Sequence, residues 1–131
     1  MRTFFMNSKI ACMIFGLVLA AGTMVHTAAP AAARTSFDGL WSVLIVTERG
    51  DCDRGYRYPV AIVNGRVEHA PNEGDQSFII AGRVSAGGAV NVSVRRGDQA
   101  AQGSGRLSLS NGEGRWRSAS CAGYWQAERR G

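Results

Sequence analysis

The chain is 131 residues long and carries 15 basic and 10 acidic residues, a formal net charge of +5, with 45% apolar residues and 17 glycines. At that size it has room for one small domain. Two histidines and three cysteines leave little from which to assemble a histidine-based nucleophile pair, a zinc centre or a haem site.

Residues 1–33 read as an export leader. Arg2 and Lys9 give a positive start and Ile10 to Gly22 is an apolar run. Ala31-Ala32-Ala33 then offers the small residues a signal peptidase requires, and cleavage at Ala29 or Ala31 is equally compatible. The apolar run, about 13 residues, falls short of the ~20 that cross a bilayer as a helix, so no membrane span is expected in the mature chain. Cleavage near Ala33 leaves a single domain over 34–131, secreted or periplasmic, in which the 13 basic residues are all arginine and face 10 acidic ones. Cys52 and Cys121 remain, and in an exported domain of this size they are expected as a disulfide rather than as free thiols. Such a bond closes a loop of roughly 70 residues and contributes on the order of 4 kcal/mol.

From Phe37 onward the chain shows short alternating runs broken by Gly, Asn and Asp, with no helical period, which is the all-β pattern. Strands are predicted over Gly39 to Arg49, Tyr56 to Val63, Arg66 to Ala70, Ser77 to Ser85, Ala89 to Arg96, Gln99 to Ser110, Glu113 to Ala119 and Cys121 to Arg129. Asn64-Gly65 and Asn111-Gly112 are predicted hairpin turns, as are Ala86-Gly87-Gly88 and Gly97-Asp98. Short connections throughout make the simplest topology an eight-stranded antiparallel meander.

Alternation assigns the faces. Tyr56, Tyr58, Val60 and Ile62 fall together, as do Phe78, Ile80 and Val84, then Val90, Val92 and Val94, then Leu107 and Leu109. Arg57, Arg83, Arg95, Arg106, Arg115 and Arg117 fall on the opposite, outward side. Only the first strand is apolar on both sides, with Trp41, Val43 and Ile45 on one and Leu40, Leu44 and Val46 on the other. That second face requires a cover, and Leu40, Leu44 and Val46 are the expected partner face.

Pairing the terminal strands gives the closure argument. With Trp41 opposite Arg129, Ile45 faces Trp125 and Arg49 faces Cys121, which brings Cys52 close to its partner and an arginine over a tryptophan. Closure also removes two edges that an open meander leaves free to aggregate. A small closed or nearly closed barrel is the expected fold.

The Gly39-Leu40-Trp41 start and the arginine of the last strand resemble the calycin-type barrels, the group of lipocalins, avidins and bacterial protease inhibitors. More of the chain, FDGLWSVLIVTERGDCDRGYRYPVAIVNGRV and the ending CAGYWQAERR, resembles a family of small secreted proteins from rhizobia and related alphaproteobacteria. That resemblance implies export and a single domain, and implies no activity.

No constellation of residues points to catalysis. His69 is read as a chance placement at a strand end, and Asp51 and Asp53 as the polar tip of a turn rather than a calcium loop, whose later oxygen ligands are missing. Arg96-Gly97-Asp98 is accounted for by its turn. No cofactor is expected. The function expected is non-catalytic binding of a small ligand or protein partner, with Tyr56, Tyr58, Trp116 and Trp125 as the lining of a pocket at one barrel mouth. The alternative is a protease-inhibitor-like or envelope-interacting surface protein whose arginines attract acidic polysaccharide. Specific nucleic-acid binding is not expected, because that face has few aromatic residues for stacking.

Overall fold

A computed structural model describes residues 22–25 and 35–131; the expected leader and its cleavage positions lie outside the described residues except for 22–25, which form no regular element. Eight strands follow: β1 (Gly39–Arg49), β2 (Gly55–Val63), β3 (Arg66–His69), β4 (Ile79–Val84), β5 (Ala89–Arg96), β6 (Gln99–Leu107), β7 (Asn111–Ser118) and β8 (Ala122–Arg129). Each pairs antiparallel with the next and β8 returns to β1, so the sheet closes as a barrel.

The closing seam has the register the residue pattern implies over most of its length. Trp41 stands opposite Arg129 and Ile45 opposite Trp125. Past Thr47 the pairing shifts, and Arg49 meets Ala122 instead of the expected Cys121. The cause is local. The Thr47 hydroxyl donates to the Asp53 carbonyl at 2.6 Å and its amide to the Arg54 carbonyl at 2.9 Å, folding the turn back on the strand. A bulge there absorbs one residue and bends the strand end. Cys52 and Cys121 are then joined by a disulfide, with Cα atoms 6.2 Å apart.

Two turns behave differently from each other. Asn64 and Gly65 take φ of 53° and 76°, the left-handed pair that a two-residue hairpin needs. Asn111-Gly112, by contrast, lies inside β7, and the chain reverses at Leu109 and Ser110. Here Asn111 serves as a side-chain acceptor for the Ser108 hydroxyl at 2.7 Å, which fixes the tighter loop. Leu109, expected inward beside Leu107, is therefore 63% exposed, while Leu107 is buried.

The core runs along the barrel axis through Phe37, Trp41, Tyr58, Val60, Ile62, Val84, Val90, Leu107 and Trp125. Its tryptophans fit because the neighbouring strands place glycine beside them. A Cβ built at Gly105 or Gly114 would lie 2.5 Å from the Trp125 ring, and one at Gly123 3.0 Å from Trp116 Nε1. Trp41 is the most deeply buried large side chain. The Arg129 guanidinium sits 5.2 Å from its ring and donates to the carbonyls of Leu109, Ser36 and Asp38. One side chain thus ties the last strand to the entry of the first and caps that end of the core.

Candidate functional site

The interior is occupied by side chains. Tyr58 and Trp125 are each 8% exposed, and the polar handles of three of the four expected lining residues are already engaged: Trp116 Nε1 donates to the Val46 carbonyl at 3.0 Å and Trp125 Nε1 to Ser104 at 3.2 Å. The Tyr58 hydroxyl lies 2.6 Å from the Asp75 carbonyl. Tyr56, at the start of β2, is 41% exposed at the rim rather than turned into the barrel. Tyr56, Tyr58, Trp116 and Trp125 therefore do not converge on a shared hollow: three are packed and hydrogen-bonded, and one lies at the edge.

The expected partner face divides similarly. Leu40 is exposed, whereas Leu44 and Val46 are half-buried. Ala61, beside Leu40 in the β1–β2 register, is buried. The segment joining β3 to β4 approaches this side of the barrel. A Cβ at Gly74 would lie 3.1 Å from the Pro59 ring, and Glu73 pairs with Arg130 at 3.7 Å. Part of the apolar cover thus comes from the chain itself.

The outer wall of β4–β7 has a different character. On this outer side the four strands carry Arg83, Arg95, Arg106, Arg115 and Arg117 against a single acidic residue, Glu113, while Arg96 turns to Phe78 and Asp75 at the strand end. The ladder aligns side chains laterally. Ala81, Ser93, Gln102, Arg117, Ala122 and Arg49 form one row, and Arg83, Asn91, Ser104, Arg115 and Tyr124 the next. Neighbouring members of a row stand ~4.8 Å apart, the strand spacing. The first row, with Asn91, Ser104 and Arg115 of the second, lines an open trough of about 730 Å³. A second depression of about 620 Å³ continues it over Arg106, Glu113 and Gln126. Both run over the glycines that receive the tryptophans within: Gly103 and Gly123 under the first, Gly105 and Gly114 under the second. Arg115 is paired with Glu48 at 2.8 Å, while Arg49, Arg83, Arg95 and Arg117 form no ion pair among the described residues. The sequence supplies the outward arginines, but only the register reveals the amide and hydroxyl row between them.

His69 is not an idle strand-end residue. Its Nδ1 lies 2.7 Å from the Tyr58 hydroxyl, and its Nε2 bonds the Phe78 carbonyl. The β2–β3 register, with Val60 opposite His69, brings Tyr58 alongside the ring, whereas the Phe78 contact depends on the β3–β4 segment folding back. Burial raises the Tyr58 phenol above its ordinary value, and the charge of Asp75 adds to this, so it remains a donor.

No family model matches the chain, and neither a curated protein nor a solved structure is significantly similar to it. The disulfide is of a kind that persists in oxidising compartments.

Proposed function

We propose that the protein is an exported, non-catalytic binding module whose ligand is an acidic polysaccharide lying along the outer wall of β4–β7. The carrying observation is the segregation of charge: five arginines and one glutamate share this wall. Export follows from the leader-like start and the disulfide taken together. Arginine offers a planar, permanently charged fork that matches carboxylate and sulfate groups in two-point contacts. Between the arginines, Asn91, Ser93, Gln102 and Ser104 present amides and hydroxyls suited to sugar hydroxyl groups. Tyr124 is the aromatic residue of these rows and is half-buried, so the base stacking on which single-stranded nucleic acid relies is poorly served. An open trough suits a chain that passes across it rather than a compact ligand enclosed by it.

The test compares a polyuronate with a neutral glucan. Binding to the polyuronate should be at least tenfold tighter at 50 mM than at 500 mM salt, because exposed charge pairs are screened. Arg83→Glu combined with Arg117→Glu should abolish it, while Arg57→Glu on the other side of the barrel should have little effect. Equal affinity for the neutral glucan, or full binding by the doubly reversed variant, would overturn the proposal.

A further inference from the structure

The β3–β4 connection is the longest on the barrel, and the seam it bridges is the weakest. β3 and β4 pair only through Arg66 with Arg83 and Val67 with Gly82, whereas every other neighbouring pair has at least four partners. Residues 70–78 lie across the gap. They are tied to the barrel by Tyr58, by His69, by Arg96 against Asp75 at 3.9 Å and by Arg130 against Glu73. The last two are exposed ion pairs and hold little. The first two are half-buried hydrogen bonds aimed at the carbonyls of Asp75 and Phe78.

Counting protons along this chain of contacts gives an asymmetric result. Three contacts occur in series: His69 Nε2 to the Phe78 carbonyl, His69 Nδ1 to the Tyr58 oxygen, and the Tyr58 oxygen to the Asp75 carbonyl. Both carbonyls only accept, so each contact needs its own proton. A neutral imidazole and a phenol carry two between them. An imidazolium and a phenol carry three, with Nε2–H donating to Phe78, Nδ1–H to Tyr58 and Tyr58 O–H to Asp75. In the neutral state one of the three contacts, whichever the tautomer leaves without a proton, becomes two lone pairs facing each other.

The charged groups around the ring favour the same assignment. Asp75, on the loop, is held below its ordinary carboxyl value by hydrogen bonds from Ser77, against a small opposing effect of burial, with the charges of Arg96 and His69 adding to the lowering. It therefore stays anionic and close to the ring while the ring is protonated. Arg96 from β5 is the opposing cation, but it is spent on Asp75 and on the face of Phe78, 5.1 Å from that ring. Tyr58 and Tyr56 on β2 stay neutral, and Glu68 on β3 is turned to Arg66 at 3.5 Å.

We propose that His69 is a proton-operated latch: the imidazolium holds residues 70–78 across the β3–β4 gap, and the neutral ring lets them go. The closed state belongs to the interval in which Asp75 is ionised and both ring nitrogens of His69 carry a proton. Above it, the loop opens and uncovers Tyr58 and Phe78 at the flank of the barrel.

Hydrogen exchange of the purified protein at pH 5 and pH 8, corrected for intrinsic rates, tests the latch. Protection of amides in 70–78 should fall by about fivefold or more on going to pH 8, roughly the effect of one net hydrogen bond. Amides in the β5–β6 hairpin should not change. His69→Gln, and separately Tyr58→Phe, should exchange at pH 5 as the unaltered protein does at pH 8. Equal loop protection at both pH values, or a pH response retained in His69→Gln, would overturn the latch. Should a variant not fold, the ring nitrogens of His69 decide it by NMR. Both must be protonated at pH 5 with the loop protected, and a neutral ring in that state refutes the proposal.

Discussion

Gly114 and Gly87 show how differently one residue type can be constrained. At Gly114 a Cβ would press against the Trp125 ring at 2.5 Å and still closer on the Ser104 carbonyl, so two walls of the barrel would have to part. Gly114→Ala is expected to cost about 2–3 kcal/mol, in the range of core overpacking, when urea unfolding is measured. Gly87, in an open hairpin with nothing within 4 Å of its Cβ position, should accept alanine within about 0.5 kcal/mol. Asp38 is a different kind of residue-scale device. Its carboxylate accepts the Asn64 amide at 2.8 Å, the Gly65 amide at 3.1 Å and the Thr35 hydroxyl at 2.6 Å, clamping the β2–β3 hairpin to the chain entry. Burial pushes this carboxyl up, but the hydrogen bonds outweigh it and hold it below its ordinary 3.8. A folded value below the unfolded one means the stabilisation is complete above the unfolded value and is lost as pH falls through the folded one. Urea midpoints at pH 6 and pH 2.5 should therefore differ less for Asp38→Asn than for the unaltered protein. Alternation told which way Trp41, Val60 or Val92 would point, because period two is a local property. It could not tell that His69 reaches the Phe78 carbonyl, since that depends on a loop closing on itself.

Among the elements, the seam between β1 and β8 was the most legible. Trp41, Ile45, Trp125 and Arg129 have sizes and chemistry that agree with only one register, and the ladder adopts it. The bulge after Thr47 was not legible, because it is made by a hydroxyl reaching a backbone carbonyl six residues on. Asn111-Gly112 misleads for a related reason: the dipeptide favours a turn, but Gly112 packs under Leu107, where a Cβ would collide with that side chain. Packing between the neighbouring strands β6 and β7 outweighs the local preference. The disulfide fastens the end of β1 to the start of β8, and Cys52→Ser with Cys121→Ser should lower unfolding free energy by on the order of 4 kcal/mol. A thermal melt with and without reductant gives the same comparison without mutation.

For the whole molecule, eight short strands, filled by three tryptophans and a file of valines, leave no buried side-chain nitrogen or oxygen unengaged among the described residues. What the barrel offers to other molecules is therefore its outside, and the two halves of that outside differ. The arginines were visible in the sequence one at a time. Their gathering on β4–β7, and the lateral rows of Asn91 with Ser104 and Ser93 with Gln102, appear only when the strands are laid side by side.

Closure also fixes where the chain enters and leaves. The Leu40 amide donates to the Gly131 carbonyl at 2.8 Å, and the Arg130 amide to Leu40 in return. Positions 39 and 131 are thus neighbours on one rim, while the disulfide stands at the other and the loop of residues 70–78 reaches along the side to Pro59 and Arg130. A tag, surface anchor or carrier domain joined to either end would hold the barrel like a lamp on its stem, with the disulfide rim pointing away and the arginine wall presented along its side.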